Sequence, residues 1–174
     1  MKPFGIPLFS ALLLQSSAVV ALAATPAQPM KPATRIQSDQ LQHDDQRQVT
    51  VFSGNVSLTR DGLVLKGDRL ELTQRADGSS LAVLDGRPAQ FIQQRLGSAD
   101  RIQGSSTRLE YDSKTEVVVL MGSAQLRRSQ KERLLDEVVG DRVAYSTPTE
   151  TYEVQTAKGQ GRAQMTLMPR EARP

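Results

Sequence analysis

The stretch Val49-Thr-Val-Phe-Ser-Gly-Asn-Val-Ser-Leu-Thr-Arg-Asp-Gly-Leu-Val-Leu-Lys-Gly-Asp-Arg-Leu-Glu-Leu72 decides the fold. It reads as two strands around a short turn at Arg60-Asp61-Gly62. Apolar residues alternate with polar ones on both sides of the turn, at Phe52, Val56 and Leu58, then Leu63 and Leu65, then Leu70 and Leu72. A period of two is the signature of a half-buried strand. The phase slips near Gly67, because Leu65 and Leu70 are an odd number of residues apart. A slip at a glycine marks a bulge or corner where the strand turns its face.

The glycines carry this unit along the chain. Gly54, Gly67, Gly86, Gly104, Gly122 and Gly140 are spaced by 13, 19, 18, 18 and 18 residues. Two flavours alternate. One is apolar-x-Gly-x-apolar, as in Phe52-Ser-Gly-Asn-Val56 and Leu120-Met-Gly-Ser-Ala124. The other runs Gly-Asp-Arg-Leu-Glu-Leu72, Gly-Ser-Ser-Thr-Arg-Leu-Glu-Tyr111 and Gly-Asp-Arg-Val-Ala-Tyr145. Each unit is too small to bury its own apolar face, so the units must stack. Evenly spaced strands with turn signals point to an all-β sandwich, jelly roll or β-solenoid.

Around the repeat, Arg35–His43 is a first, mostly polar strand with a turn at Asp44–Arg47. Leu81–Gln94 follows the Arg75–Ser80 loop, with Pro88 demoting part of it to an edge or bulge. Leu96–Asp100 reads as a loop, Arg101–Tyr111 as a strand and Asp112–Thr115 as a turn. Glu116–Arg127 holds the most apolar run, Val117-Val-Val-Leu-Met121. Arg128–Glu137 reads as a charged loop, with two helical turns over Ser129–Val139 as the alternative. Val138–Tyr145 is the next strand. Tyr152–Thr156 and Arg162–Met168 would form a last hairpin around Lys158-Gly-Gln-Gly161, before a short tail at 170–174.

The 174 residues suit one ordinary domain. Residues 1–23 read as a cleaved leader. Lys2 precedes an apolar stretch from Phe4 to Val20, and Ala21-Leu22-Ala23 supplies an A-x-A site with cleavage expected after Ala23. The stretch is short and interrupted for a membrane anchor. Residues 24–34, with Pro26, Pro29 and Pro32, are a flexible lead-in. The leader removes one Lys, leaving 21 basic residues against 19 acidic, a net of +2. That charge does not describe a nucleic-acid binder.

With no Cys and one His, neither a disulfide framework nor an ordinary zinc site can form. His43 beside Asp44 and Asp45 reads as an exposed turn residue, and the Gly-Asp-Arg triplets at 67–69 and 140–142 as corner chemistry. No nucleophile elbow, phosphate loop or dinucleotide fingerprint occurs. The expectation is a non-enzyme without cofactor or metal. Arg127, Arg128, Lys131 and Arg133 form a basic cluster answered by Glu132, Asp136 and Glu137. A solvated loop is its default reading, and contact with an anionic lipid headgroup the alternative.

An ordered set of segments carries a resemblance: Ile-Gln-Ser-Asp-Gln40, Phe-Ser-Gly-Asn-Val56, Leu-Asp-Gly-Arg-Pro-Ala-Gln-Phe91, Leu-Glu-Tyr111, Val-Val-Leu-Met-Gly122, Gly-Asp-Arg-Val-Ala-Tyr145 and Lys-Gly-Gln-Gly-Arg162. Over residues 35–169 the chain resembles the LptA (OstA-like) family of periplasmic lipopolysaccharide-transport proteins. The resemblance implies a twisted, V-shaped β-jelly roll of repeated short antiparallel strands with a hydrophobic groove for the acyl chains of lipid A. It also implies head-to-tail self-association, bridging an inner-membrane LptC-like partner to an outer-membrane LptD-like partner. The A-x-A site, the length and the absence of Cys favour the LptA-like branch over LptC, with its uncleaved anchor, and LptD, with its large barrel. A long Arg128–Glu137 loop departs from the pattern expected there.

Alternation and the resemblance together nominate Ile36, Phe52, Val56, Leu58, Phe91, Leu109, Tyr111, Val119 and Tyr145 as groove lining. Unprotected edges nominate Ile36 and Leu41 on the first strand and Met165 and Leu167 on the last for head-to-tail pairing. Two other classes fit the strand pattern: a periplasmic structural module with a solid core, and a glycan-active enzyme on a β-solenoid using Asp44 and Asp45.

Overall fold

Alternation interrupted by glycine becomes long strands, each bent once. The computed structural model describes residues 33–94, 99–157 and 161–169. Ten strands follow in chain order: β1 Arg35–Gln37, β2 Gln40–Asp44, β3 Val49–Arg60, β4 Leu63–Gln74, β5 Ser80–Gln94, β6 Asp100–Asp112, β7 Val117–Gln130, β8 Arg133–Ser146, β9 Thr151–Gln155 and β10 Gln164–Leu167. All belong to one antiparallel sheet, in which β3 to β8 each pair with the next. No helix occurs among the described residues. The leader, most of the lead-in, the tail and the Lys158–Gln160 part of the glycine turn lie outside them.

The glycine repeat is a crease across this sheet. The ladder steps between Ser53 and Val56, Lys66 and Arg69, Asp85 and Ala89, Ser105 and Arg108, and Met121 and Ala124. Each of these steps sits at or opposite one of the spaced glycines, while a further step between Arg128 and Ser129 lies near the tip of the β7–β8 hairpin. The two sequence flavours are two ways of making the bend. In β3 and β7 the chain takes two successive left-handed residues, Gly54-Asn55 and Gly122-Ser123, with φ of 78° and 48°, and of 75° and 53°. Glycine enters that region without a steric penalty. In β6 the glycine allows a close approach instead: a Cβ on Gly104 would lie 2.6 Å from Leu120 Cδ1.

The crease divides the strands into two layers. Layer A holds the segments running to the turns at Asp61-Gly62 and Lys131-Glu132, with β1 and β10 at its edges. Layer B holds the segments running to the turns at 45–48, 75–79, 113–116 and 147–150, with β2 and β9 at its edges. The inner faces meet: Phe91 of layer A and Tyr145 of layer B, on strands separated by two others, have ring centroids 6.0 Å apart. Between the layers lie Leu58, Leu65, Leu70, Leu84, Leu109, Leu120, Leu126 and Val143, all at most 2% exposed. This is the all-β jelly roll that the resemblance implied, with long creased strands whose halves are the short repeating units.

Three expectations are corrected. Arg128–Glu137 is neither a loop nor helix but the tip of the β7–β8 hairpin, closed by Lys131 and Glu132 at φ 47° and 66°. Two left-handed residues make the type I′ turn that matches strand twist, and two charged residues there give no turn signal. The last hairpin does not form either: β9 and β10 lie end to end on β8, opposite Arg142–Ser146 and Asp136–Val139. The first strand is likewise split into β1 and β2, which lie end to end on β3. Asp39 spans the break, its N–H donating to Gly54 O at 2.9 Å while Asn55 Nδ2 donates to its carboxylate at 2.8 Å. Of the two readings of Pro88, the bulge holds: after a cis peptide bond it sits in the register step of the central strand β5.

Candidate lipid-binding groove

The space between the layers is the candidate site, and the crease sets its character. Nearest the crease the inner face is almost wholly apolar, with Leu65, Leu84, Leu120 and Ala124 at 0% exposure and the buried Ser106 hydroxyl donating to Arg108 O at 2.7 Å. Towards the strand tips it becomes amphipathic. Gln93, Ile102, Arg128 and Gln130 of layer A and Tyr145 and Thr147 of layer B line a cavity of about 490 Å³ at the mouth of the V. An amphiphile held across the V therefore meets hydrocarbon at the crease and hydrogen-bonding groups at the mouth.

Of the nominated lining residues, Phe52, Val56, Leu58, Phe91, Leu109, Tyr111 and Tyr145 sit on the inner face and are buried, and Ile36 packs against them half-buried. Val119 does not. Val118 pairs with Tyr145 and, like Leu120, is buried, so Val119 between them points outward and is half-buried. An apolar run of five contains no alternation, so its phase comes only from the ladder. Sequence reasoning passed over Leu65, Leu70, Leu84 and Leu120 as lining, although the alternation on either side of each glycine identifies most of them.

The edges carry the inner face to the limits of the sheet. On β10, Met165 and Leu167 stand opposite the inward residues Val138 and Asp136, yet they are 50% and 67% exposed. On β2, Leu41 stands opposite the inward Phe52 and is 62% exposed. Tyr152 of β9 lies between the layers there, its hydroxyl 3.7 Å from Met165 Sδ and its ring 5.8 Å from the Arg128 guanidinium. Burial pushes the Tyr152 and Tyr111 phenols above their usual range, so both are neutral hydrogen-bonding groups at neutral pH.

The structure adds a buried charge where a solvated loop was expected. Asp136 points between the layers at 3% exposure and accepts from Arg128 Nε at 2.9 Å on each carboxylate oxygen, with Arg128 Nη2 as a further donor. That hydrogen bonding holds the Arg128 guanidinium above its ordinary pKa. On the outer face Arg127 Nε donates to Glu137 at 3.0 Å. Two members of the basic cluster are thus matched by carboxylates across the β7–β8 hairpin.

The catalytic alternatives find no geometry among the described residues. His43 Nδ1 lies 2.8 Å from Thr50 Oγ1, while its Nε2 is 3.7 Å from the exposed Asp45 carboxylate. Asp44 accepts from Arg47 N at 3.1 Å within its own turn. Of the Gly-Asp-Arg triplets, Arg69 donates to Glu71 at 3.2 Å and Asp141 accepts from Ala157 N at 2.7 Å. No three metal-ligating side chains converge among the described residues.

Comparison with known proteins agrees with this architecture. The family described as "LptA/(LptD N-terminal domain) LPS transport protein" matches residues 35–165. The lipopolysaccharide export system protein LptA of Escherichia coli K12 is 27% identical over 167 residues, covering 95% of this chain and 84% of that one. Lipopolysaccharide export system protein LptH of Pseudomonas aeruginosa is 26% identical over 147 residues, covering 84% and 79%. The crystal structure of LptH, described as the LptA-homologous periplasmic component of a lipopolysaccharide transport device, superposes with a TM-score of 0.70. It is 24% identical and covers 79% of this chain and 96% of that one, and it supports the fold. A creased all-β sheet folded over an apolar interior, matched by the family over 131 residues, has one conclusion: the chain belongs to the LptA/(LptD N-terminal domain) LPS transport protein family.

Proposed function

We propose that the chain is a periplasmic carrier that shields the acyl chains of lipopolysaccharide between its two layers. It passes the lipid from an inner-membrane export complex with an LptC-like member to an outer-membrane LptD-like translocon. The need is physical. Exposing an acyl chain to water costs about 0.8 kcal/mol per methylene, so a chain of a dozen carbons costs on the order of 10 kcal/mol. Crossing an aqueous compartment therefore requires apolar lining along the whole route. The apolar stretch from Phe4 to Val20 and the Ala21-Leu22-Ala23 site, read as a leader, support export to that compartment.

One observation carries the reading: the inner face does not stop at either edge. Met165 and Leu167 on β10 and Leu41 on β2 keep the inward register but lack cover. If β10 of one copy takes up β1 of the next, and β9 takes up β2, each layer pairs with its own kind. Ile36 then falls beside Met165 and Leu167, and the groove runs on. Open edges pair in this way by strand addition, and a head-to-tail contact that does not close gives a chain of copies. The same edges suit membrane-bound partners of like fold.

A second reading is favoured by the filled centre. Phe91, Leu109 and Leu120 have no solvent exposure, as in a structural module with a solid core. The carrier reading requires the layers to part along the crease when lipid enters. A photoreactive residue at Phe91 should label lipopolysaccharide in cells, whereas one at outward-facing Ser57 should not. Equal labelling at both, or at neither, sinks the carrier.

A further inference from the structure

The mouth cavity is assigned to no ligand by the reading above, which concerns acyl chains. We infer that it is a saccharide subsite, taking a neutral hexopyranose of the carried amphiphile's head rather than a phosphate. The inference rests on the carrier reading for the placement of the head at the mouth. Its chemistry comes from the lining.

Charge argues first. The cavity wall includes Asp61, Asp100 and Glu150 against Arg101 and Arg128. Arg128 is already committed, since its guanidinium forks onto Asp136, which is almost wholly buried behind it. A phosphate reaching the remaining guanidinium N–H groups would set an anion beside a buried carboxylate in a pair that is already neutral, which is costly. The other charged residues of the wall, Asp61, Asp100 and Glu150 against Arg101, supply no surplus of cation to hold it. An anion is disfavoured on both counts.

Hydrogen bonding argues second. Gln93 and Gln130 present amides, which donate and accept, and Thr147 presents a hydroxyl. Gln130 Nε2 donates to Asp100 Oδ1 at 2.7 Å, which fixes both groups at the wall. Pyranose hydroxyls also donate and accept, so planar amides and carboxylates match them in pairs. Ile102 and Tyr145 supply the apolar surface that the C–H face of a pyranose needs. At about 490 Å³ the cavity falls within the usual range of small-molecule sites.

The test uses the full mature chain and three probes with one dodecyl tail, each kept below its micelle concentration. Dodecyl maltoside has a saccharide head, a dodecyl polyoxyethylene ether a neutral head without sugar, and dodecyl phosphate an anionic head. Titration calorimetry should show the maltoside binding about tenfold more tightly than the polyether, a difference of about 1.4 kcal/mol. The phosphate should be the weakest. The side-chain amide NMR signals of Gln93 and Gln130 should move with the maltoside alone. The double variant Gln93→Leu/Gln130→Leu should bring the maltoside-to-polyether ratio to about one. Equal binding of maltoside and polyether by the unaltered chain overturns the saccharide subsite and leaves the carrier reading standing. A preference for the phosphate, including one created by added magnesium, overturns it in the same way. Failure of all three tails to bind overturns both.

Discussion

The buried Arg128–Asp136 pair makes the sharpest prediction, because reading the same residues as a solvated loop predicts the opposite. Asp136 is 4% exposed at its side chain and Arg128 is 34% exposed. Replacing Arg128 with Leu strands a carboxylate between the layers. Breaking a buried pair costs about 3–5 kcal/mol, and the partial exposure of Arg128 places the expected loss near the lower end. Replacing Asp136 with Leu strands only a guanidinium that can reach the open mouth, so about 1–2 kcal/mol is expected. The double replacement Arg128→Leu/Asp136→Leu should regain most of the loss, since two leucines suit the apolar surroundings. Urea denaturation followed by circular dichroism reads the cycle. With a slope of about 2 kcal/mol per molar, the Arg128→Leu midpoint should fall by about 1.5 M. Two single variants within about 0.5 kcal/mol of the parent, with no coupling between them, would refute the burial argument.

Further outcomes are expected elsewhere in the roll. Phe91→Ala removes a ring with no solvent exposure that packs against Tyr145, and should cost about 3–5 kcal/mol in the same assay. Gly104→Val drives side-chain atoms into Leu120 at the crease and should cost about 1–3 kcal/mol, whereas Gly78→Ala, with open space around it and φ of 76°, should lose only the left-handed penalty of about 1 kcal/mol. Equal losses at the two glycines would mean that the crease is not a close contact. Met165→Pro removes a ladder donor from β10 and should leave a folded monomer. Light scattering over a concentration series checks this, and no growth for the unaltered chain together with no LptC-like binding would end the bridging mechanism. The turns at 75–79 and 113–116 are tied by Arg75 to Asp112 and by Lys114 to Asp77, both at 2.8 Å, and these donors hold the two carboxyls below their usual range. Their folded values lie below unfolded ones near about 3.9, so their contribution is complete above that pH and is lost as the pH falls through the folded values. Asp77→Asn/Asp112→Asn should flatten the acid limb of the stability profile below about pH 4, and an unchanged limb would show that the ties contribute nothing.

Much of this protein is determined by short-range pattern. Alternation at Phe52–Leu58 and Leu63–Leu65 specifies strands and their inner faces, because side chains on a pleated strand point to opposite sides in turn. The glycine spacing specifies the crease, because a face change or a left-handed pair needs a residue without a Cβ. The ordered segments from Ile36 to Arg162 specify the family. Tertiary structure decides what pairing alone can decide. The Val117–Met121 run has no polar residue to set its phase, and only its ladder to β8 turns Val118 inward and Val119 out. Arg128–Glu137 is too charged to look like strand, yet Lys131-Glu132 turns the chain in two residues and lays Arg128 beside Asp136. The split of each terminal strand follows from the length of its neighbour: β3 and β8 each offer one long edge interrupted at the crease, and two short strands fill it end to end. These outcomes depend on hydrogen bonds and charge pairs between residues far apart in the chain, so no local window contains them.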